Sequence, residues 1–308
     1  MKRLVYNAIH SLIHNPKHFV AAILHRVGGR LPDKTYIKWV YYLECGHRLN
    51  LDNPLRFNEK LNWLKLYYHN PQWTQMVDKY AVKELVSARV GSEFVVPSLG
   101  VWDIAEDIEW DKLPDRFVLK TNHDSGNNGV FICKDKSKID KAKWTKKINA
   151  SLGRDTSIPG REWPYKDVKR CVFAEEYLED TSGELRDYKF FCFNGVVKYL
   201  YIATERQSGN LKFNFFDDNF NPLDIEQAHP RSDKPIVKPK AFEQMKEIAA
   251  KLSNGLPEVR VDLYEVSGKI YFGEFTFFSL CGTATFHPDE WDFVWGEQIQ
   301  LPHANRNV

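Results

Sequence analysis

The strongest constraint in the chain is a pair of short β-type runs near its C-terminal end. Val259-Arg260-Val261-Asp262-Leu263-Tyr264 is followed by a Ser267-Gly268 turn and by Tyr271-Phe272-Gly273-Glu274-Phe275-Thr276-Phe277. Alternate residues of a strand share a face, so Arg260 lies with Asp262, and Glu274 lies with Thr276. A hairpin folded at Ser267-Gly268 sets these two faces side by side. Asp262 and Glu274 then converge as hard oxygen donors of the kind Mg²⁺ takes alongside substrate phosphates. Arg260 beside them suits neutralisation of a transferring phosphoryl group. The competing reading is a cross-strand salt bridge on an exposed sheet. The flanking Val, Leu, Tyr and Phe favour a sheet covered on one side.

Two further stretches carry polar chemistry. In Phe117-Val118-Leu119-Lys120-Thr121-Asn122-His123-Asp124-Ser125-Gly126-Asn127-Asn128-Gly129-Val130 a strand ends in Lys120, and a small, polar, glycine-bearing loop follows. Gly126 and Gly129 allow backbone N–H groups to close on phosphate oxygens, with Lys120 as a point charge. An ordinary hairpin connection is the alternative. In Cys171-Val172-Phe173-Ala174-Glu175-Glu176-Tyr177-Leu178 a strand runs into two carboxylates and an aromatic–aliphatic pair. That pattern fits a nucleotide hinge, and equally a strand end emerging into solvent.

The 308 residues are 43% hydrophobic, enough for a sizeable core or for smaller cores sharing a cleft. A net charge of +2 argues against a dedicated nucleic-acid partner. The first 48 residues are nonetheless basic, with eight Lys/Arg against Asp33 and Glu44. They predict either a solvated helix face or a peripheral contact with an anionic membrane or acidic glycan. Five scattered cysteines without a CxxC pair match neither a zinc site nor a disulfide framework. With no run of apolar residues long enough to span a bilayer and no signal-peptide pattern, the expectation is a cytoplasmic protein, peripheral at most to the inner membrane face.

The periodicity predicts helices over Tyr36–Cys45, Phe57–Tyr68 (capped by Asn58 and broken at Pro71) and Asp78–Val90. Strands follow at Phe117–Lys120, Gly129–Ile132, Cys171–Ala174 and Tyr188–Phe193, the last turning at Asn194-Gly195 into Val196–Ala203. A helix over about Pro239–Leu252 precedes the acidic hairpin. The expected plan is α+β: a helical region over 1–95, a subdomain with the glycine loop and hinge over 96–180, and a subdomain with the metal hairpin over 181–308.

Arg-Val-Asp on one strand and Glu-Phe-Thr-Phe on the next resemble the Arg-Val-Asp and Glu-Ile-Asn-Thr pair of D-alanine–D-alanine ligases, members of the ATP-grasp superfamily. Over roughly residues 35–302 the chain resembles the teichuronopeptide-biosynthesis-type ATP-grasp proteins. The motifs are Phe57-Asn58-Glu59-Lys60-Leu61-Asn62-Trp63-Leu64-Lys65-Leu66, Asp78-Lys79-Tyr80, Leu119-Lys120-Thr121-Asn122-His123, Asp187-Tyr188-Lys189-Phe190-Phe191-Cys192-Phe193-Asn194-Gly195 and Gly273-Glu274-Phe275-Thr276-Phe277.

The resemblance implies an ATP-grasp fold, with ATP held between two α+β subdomains behind a mostly helical N-terminal region. It implies Lys120 and Ser125–Gly129 on the ATP phosphates, Glu175, Glu176, Tyr177 and Leu178 at the adenine hinge, and Lys189 as a second phosphate lysine. Asp262 and Glu274 would hold Mg²⁺. Thr276 stands where the superfamily usually has Asn, which alters the second metal position. Asp78, Lys79, His123 and Arg206 are candidates for the substrate sites, with an ion pair or a capping role as the competing reading. The implied reaction joins a carboxylate to an amine through an acyl phosphate, with Lys120 and Arg260 stabilising charge. Its implied substrates are a uronic acid of a bacterial capsular or other surface polysaccharide, or its precursor, and an amino acid or amine. A phosphotransferase acting on a glycan hydroxyl and a glycosyltransferase are the rival readings. No Asp-x-Asp triplet supports the latter.

Overall fold

A computed structural model describes residues 20, 24, 28–124, 128–179, 185–205 and 209–303. Helix α1 spans Asp33–Cys45 and stops at Gly46, whose φ of 82° ends it in the left-handed region. Helix α2 spans Phe57–Tyr67 and α3 Gln72–Val77. The start of α2 corrects the sequence expectation: Asn58 is inside the first turn, not the cap. The Glu59 carboxylate instead reaches back, accepting from the backbone N–H groups of Leu55 (2.9 Å) and Arg56 (3.1 Å). The predicted Asp78–Val90 helix is likewise interrupted. Asp78 Oδ1 accepts from Tyr80 N and Ala81 N, turning the chain before α4, Val82–Val90.

Strands β1 (Ser98–Trp102), β2 (Phe117–Thr121) and β3 (Val130–Cys133) lead to helix α5 (Lys141–Leu152) and the short α6 (Ser157–Gly160). After β4 (Val172–Glu176) these strands complete an antiparallel sheet of order β1-β4-β2-β3. Trp144 and Ile148 of α5 pack on its Phe117, Leu119, Val172 and Ala174.

The second sheet holds β5 (Asp187–Phe193), β6 (Val196–Thr204) and β7 (Lys212–Asp217), then helix α7 (Phe242–Ser253), β8 (Glu258–Val266) and β9 (Lys269–Thr276). Its order is β7-β6-β5-β8-β9, all antiparallel, and α8 (Glu290–Gln298) ends the series. Both predicted hairpin turns form with the backbone their residues favour: Asn194 and Gly195 at φ 50° and 81°, Ser267 and Gly268 at 51° and 80°. Phe57, Leu61 and Leu64 of α2 and Trp73 of α3 enter one core with Phe191, Phe193, Phe275 and Trp295, which brings the helical region onto this sheet. No helix among the described residues is long and apolar enough to cross a membrane.

Candidate active site

The hairpin does what its alternation predicts. Asp262 lies opposite Glu274 and Arg260 opposite Thr276, while on the other side of β8 Asp262 lies opposite Lys189 of β5. Lys189, Asp262 and Glu274 therefore form a row across three strands. The register also contains a feature that alternation could not reveal. Leu263 pairs with Phe272, so a regular ladder would set Asp262 against Gly273. Gly273 is an inserted bulge residue that advances Glu274 by one position. A Cβ there would stand 3.0 Å from the Tyr264 ring and 3.1 Å from Asp262 O, which explains the glycine.

The row is a dense charge network. Arg260 forks onto Asp262, Nε to Oδ1 at 2.7 Å and a terminal nitrogen to Oδ2 at 2.8 Å. Lys189 donates to Asp262 and pairs with Asp187 at 2.6 Å. Asp262 is buried, with 1% of its surface exposed, whereas about a third of the Glu274 side chain reaches solvent. Glu274 pairs with Lys79 at 3.4 Å and Arg260 at 3.6 Å. Burial alone would raise the Glu274 pKa, but Lys79, Lys189 and Arg260 outweigh it and hold the carboxyl at about 2. Burial opposes the charges of Lys189 and Arg260 too. The adjacent carboxylates reverse that effect and hold both cations above their ordinary pKa values.

Lys79 ties this row to the smaller sheet, because its ammonium also donates to Asp124 O at 2.9 Å. Asp124 in turn accepts from Ser151 (2.7 Å) and Arg154 (2.8 Å), and Thr121 bonds Ser151 at 2.8 Å. Asn122 bonds Asp78 and the backbone of Lys169 and Cys171, closing the stem of the loop. Asp78 thus has a capping and bracing role. His123 is fully buried against Arg154 O, with its pKa lowered by that burial. Gly129 has a packing reason: a Cβ there would lie 2.4 Å from Thr121 Oγ1 and 2.7 Å from Asp124 Cβ. Ser125, Gly126, Asn127 and Arg206 lie outside the described residues.

At the predicted hinge, both carboxylate oxygens of Glu175 are taken up by lysines. It is buried and clamped by Lys120 (2.5 Å) and Lys83 (2.7 Å). Glu176, next along β4, points to the opposite face and is exposed. The two carboxylates of the motif thus lie on opposite faces of β4. Beyond the strand, Tyr177 lies under the Arg116 guanidinium, 4.4 Å from ring to carbon, and half-buried Leu178 follows.

Lys83 and Asp187 escaped the sequence reading. Asp187 had a signal, since it alternates with Lys189 on one strand face. Lys83 had only a spacing of one helical turn from Lys79. Also missed was a device behind the hairpin, where Leu280, Cys281 and Gly282 take φ of 50°, 56° and 64°, three consecutive left-handed residues. A polar stripe on α2 holds them: Asn58 Nδ2 donates to Ala284 O (2.9 Å), Asn62 Nδ2 to Gly282 O (2.7 Å) and Lys65 Nζ to Cys281 O (2.9 Å). Arg260 reaches the same loop through Ser279 Oγ at 3.3 Å. Asn62→Ala leaves Gly282 O without this partner in a buried place. The expected loss is about 1–3 kcal/mol of stability, read from urea unfolding. An unchanged midpoint would mean the loop holds itself.

Elsewhere His47, Asp289 and Asp292 approach one another closely enough to hold an ion. Arg56 already neutralises that group, pairing with Asp289 at 2.7 Å and Asp292 at 3.5 Å.

A description of the TupA-like ATP-grasp family matches residues 59–300, and the chain belongs to that family. Its α+β fold, with two antiparallel sheets and helices before them, is the ATP-grasp fold. Similar solved structures include D-alanine–D-alanine ligase from Helicobacter pylori (12% identity, TM-score 0.44, covering 79% of this chain and 69% of that one). They also include D-alanine–D-alanine ligase from Bacillus anthracis complexed with ATP (14%, 0.38, 71% and 55%). A third is the ATP-grasp ligase PsnB with its minimal precursor, Mg and ADP (12%, 0.39, 88% and 65%). The chain thus spans little more than half the length of the Bacillus ligase. No curated protein matches it significantly.

Proposed function

We propose that the protein is an ATP-dependent carboxylate–amine ligase. The observation that carries this reading is the row Lys189–Asp262–Glu274 with Arg260 forked onto its centre. Two hard carboxylates set opposite each other, with no thiol or imidazole in the row, fit Mg²⁺ in kind. The cations around them fit a polyphosphate, which could take over Lys189 and Arg260 from Asp262. Bound Mg²⁺ would supply charge neutralisation between the phosphates. Lys120, at the end of β2, and the loop that Asn122 and Asp124 brace would close on ATP, with the segment after β4 at the adenine. Thr276, opposite Arg260, would offer a neutral hydroxyl where the second metal position lies.

In this scheme Arg260 stabilises charge twice: on the phosphoryl group as the substrate carboxylate attacks it, and on the tetrahedral intermediate when the amine displaces phosphate. The carboxylate is proposed to be a uronic acid of a surface polysaccharide or its precursor, and the amine an amino acid. The work is assigned to the cytoplasm. A contact of the basic N-terminal segment with the inner membrane face rests mostly on residues outside those described.

ADP release with Mg·ATP, uronic acids and an amino-acid panel tests the reading. Turnover should need both a carboxylate and an amine, and should fall by about 10²–10³-fold in Lys120→Ala. ADP formation that needs a hydroxyl acceptor and no amine would instead make the protein a phosphotransferase.

A further inference from the structure

A cavity of about 280 Å³ opens between α1, α2, α6 and the left-handed loop, which Arg260 touches through Ser279. Its lining includes Tyr36, Ile37, Glu44, Lys65, Gly160 and Cys281. That volume falls below the range of roughly 300–1,000 Å³ typical for drug-sized ligands, so it suits a single small molecule better than a sugar chain.

Lys65 is the unusual wall residue. Only 4% of it is exposed, and its ammonium donates to Cys281 O and, at 3.4 Å, to Asn62 Oδ1. Among the described residues no carboxylate lies within ion-pair distance of it. Its hydrogen bonds go to neutral oxygens, and the Glu162 carboxylate acts on it only from beyond ion-pair distance, so burial outweighs that attraction and lowers its pKa. An anion entering the cavity would complete it. Opposite, the Glu162 carboxylate and the Cys281 thiol converge on Gly160: a Cβ built there would stand 2.7 Å from Glu162 Oε1 and 2.9 Å from Cys281 Sγ. Glu162 therefore stands behind Gly160 of the cavity wall, and it feels the charge of Lys65 first and that of Arg260 after it. The cavity has a cationic end at Lys65, a carboxylate behind its Gly160 wall, and an apolar wall of Tyr36 and Ile37.

We propose that this cavity seats the amine substrate of the ligase, an α-amino acid whose carboxylate pairs with Lys65 and whose ammonium meets Glu162. This rests on the ligase reading. The free amine would attack the acyl phosphate, forming the C–N bond as the bond from carbon to the phosphate oxygen breaks. Glu162 takes the first proton from the ammonium to free its lone pair, and the second, lost as the C–N bond forms, leaves on the phosphate, which departs with the electron pair of the broken bond. Burial raises the Glu162 pKa, which suits a proton acceptor near neutral pH. The glycan carboxylate would then approach from the open side of the row, where Glu274 reaches solvent.

Calorimetry with each of the common L-amino acids, in the presence of Mg²⁺ and a non-hydrolysable ATP analogue, tests the proposal. The proteins are the wild type, Lys65→Met, Glu162→Gln, Gly160→Val and, as a control on the other cavity carboxylate, Glu44→Gln. At least one amino acid should bind the wild type. Its affinity should drop by about tenfold or more in the first three variants and stay within about twofold in Glu44→Gln, with analogue affinity unchanged throughout. Lys65→Met exchanges a buried charge for an apolar side chain of similar length, and Gly160→Val displaces Glu162 and Cys281 at the opposite wall, which its Cβ would meet. Misfolding of one variant therefore leaves the other to decide. Equal amino-acid affinity in wild type, Lys65→Met and Gly160→Val would overturn the assignment. So would analogue binding with no amino acid bound. Lys65-dependent amino-acid binding without any nucleotide binding would remove the ligase reading and leave the cavity assigned.

Discussion

Asp262→Ala is expected to reduce ADP release by about 10²–10³-fold and also to destabilise the folded chain by about 3–5 kcal/mol. The two losses have different causes. The first follows from the proposed role of Asp262 as a donor to Mg²⁺. The second follows from the charges it neutralises: Lys189 and Arg260 are both buried, and Asp262 accepts from each. Lys79, Lys189 and Arg260 balance Asp187, Asp262 and Glu274 one for one, and removing Asp262 leaves a cation uncompensated where water cannot reach it. Glu274→Ala should cost similar activity with far less stability, because Glu274 is about one-third exposed and its ion pairs are longer. Urea midpoints of the two variants provide the comparison, and equal midpoints would remove the argument. ATP without Mg²⁺ offers a further check. Its phosphates can take over the uncompensated cations, so it should raise the melting temperature of Asp262→Ala more than that of the wild type.

The hairpin was readable because strand period and turn chemistry are local: Ser267-Gly268 sets the fold-back, and alternation sets which residues share a face. The bulge at Gly273 was not, since its cause is the approach of Tyr264 and Asp262 O from the neighbouring strand. Strand β1 carries exposed Leu99 and Val101 at a sheet edge, and α5 is mostly Lys and polar with Trp144 and Ile148 facing the core, so neither has a strong periodic signal. Leu280 and Cys281 are not residues that advertise a left-handed backbone. The signal for that loop lay instead in Asn58, Asn62 and Lys65, which recur at helical spacing on α2 and look in sequence like an ordinary polar face. Glu175 shows the same limit. As a carboxylate at a strand end it reads as a ligand contact or a solvent contact, and only the arrival of Lys83 from a distant helix makes it an internal counter-ion.

That counter-ion makes the protein's acid stability depend on Glu175. Burial would raise the Glu175 pKa, but Lys120 and Lys83 together hold it below the ordinary glutamate value of 4.5. A carboxyl whose folded pKa lies below its unfolded one binds fewer protons when folded. Its stabilising contribution is therefore fully present above about pH 4.5 and is lost as pH falls through the folded value. In Glu175→Gln the amide keeps the shape and loses the charge, leaving Lys83 largely covered and uncompensated, with Lys120 beside it. At neutral pH the expected cost is about 3–5 kcal/mol. Lys120 has about a quarter of its side chain in solvent, which favours the lower half of that range. As the pH falls below 4.5 and through the lower folded value, the wild type protonates its own carboxylate and the two proteins should converge. Urea unfolding of both across this pH range decides the matter: a gap that stays constant would mean that the ion pairs contribute nothing and that the glutamine is simply a poor fit. A gap that closes as pH falls would identify the Lys83–Glu175–Lys120 clamp as the element that fixes Lys120 at the end of β2. In that case Glu175→Gln should also weaken ATP binding at neutral pH, because a lysine released from its carboxylate is no longer held towards the phosphates.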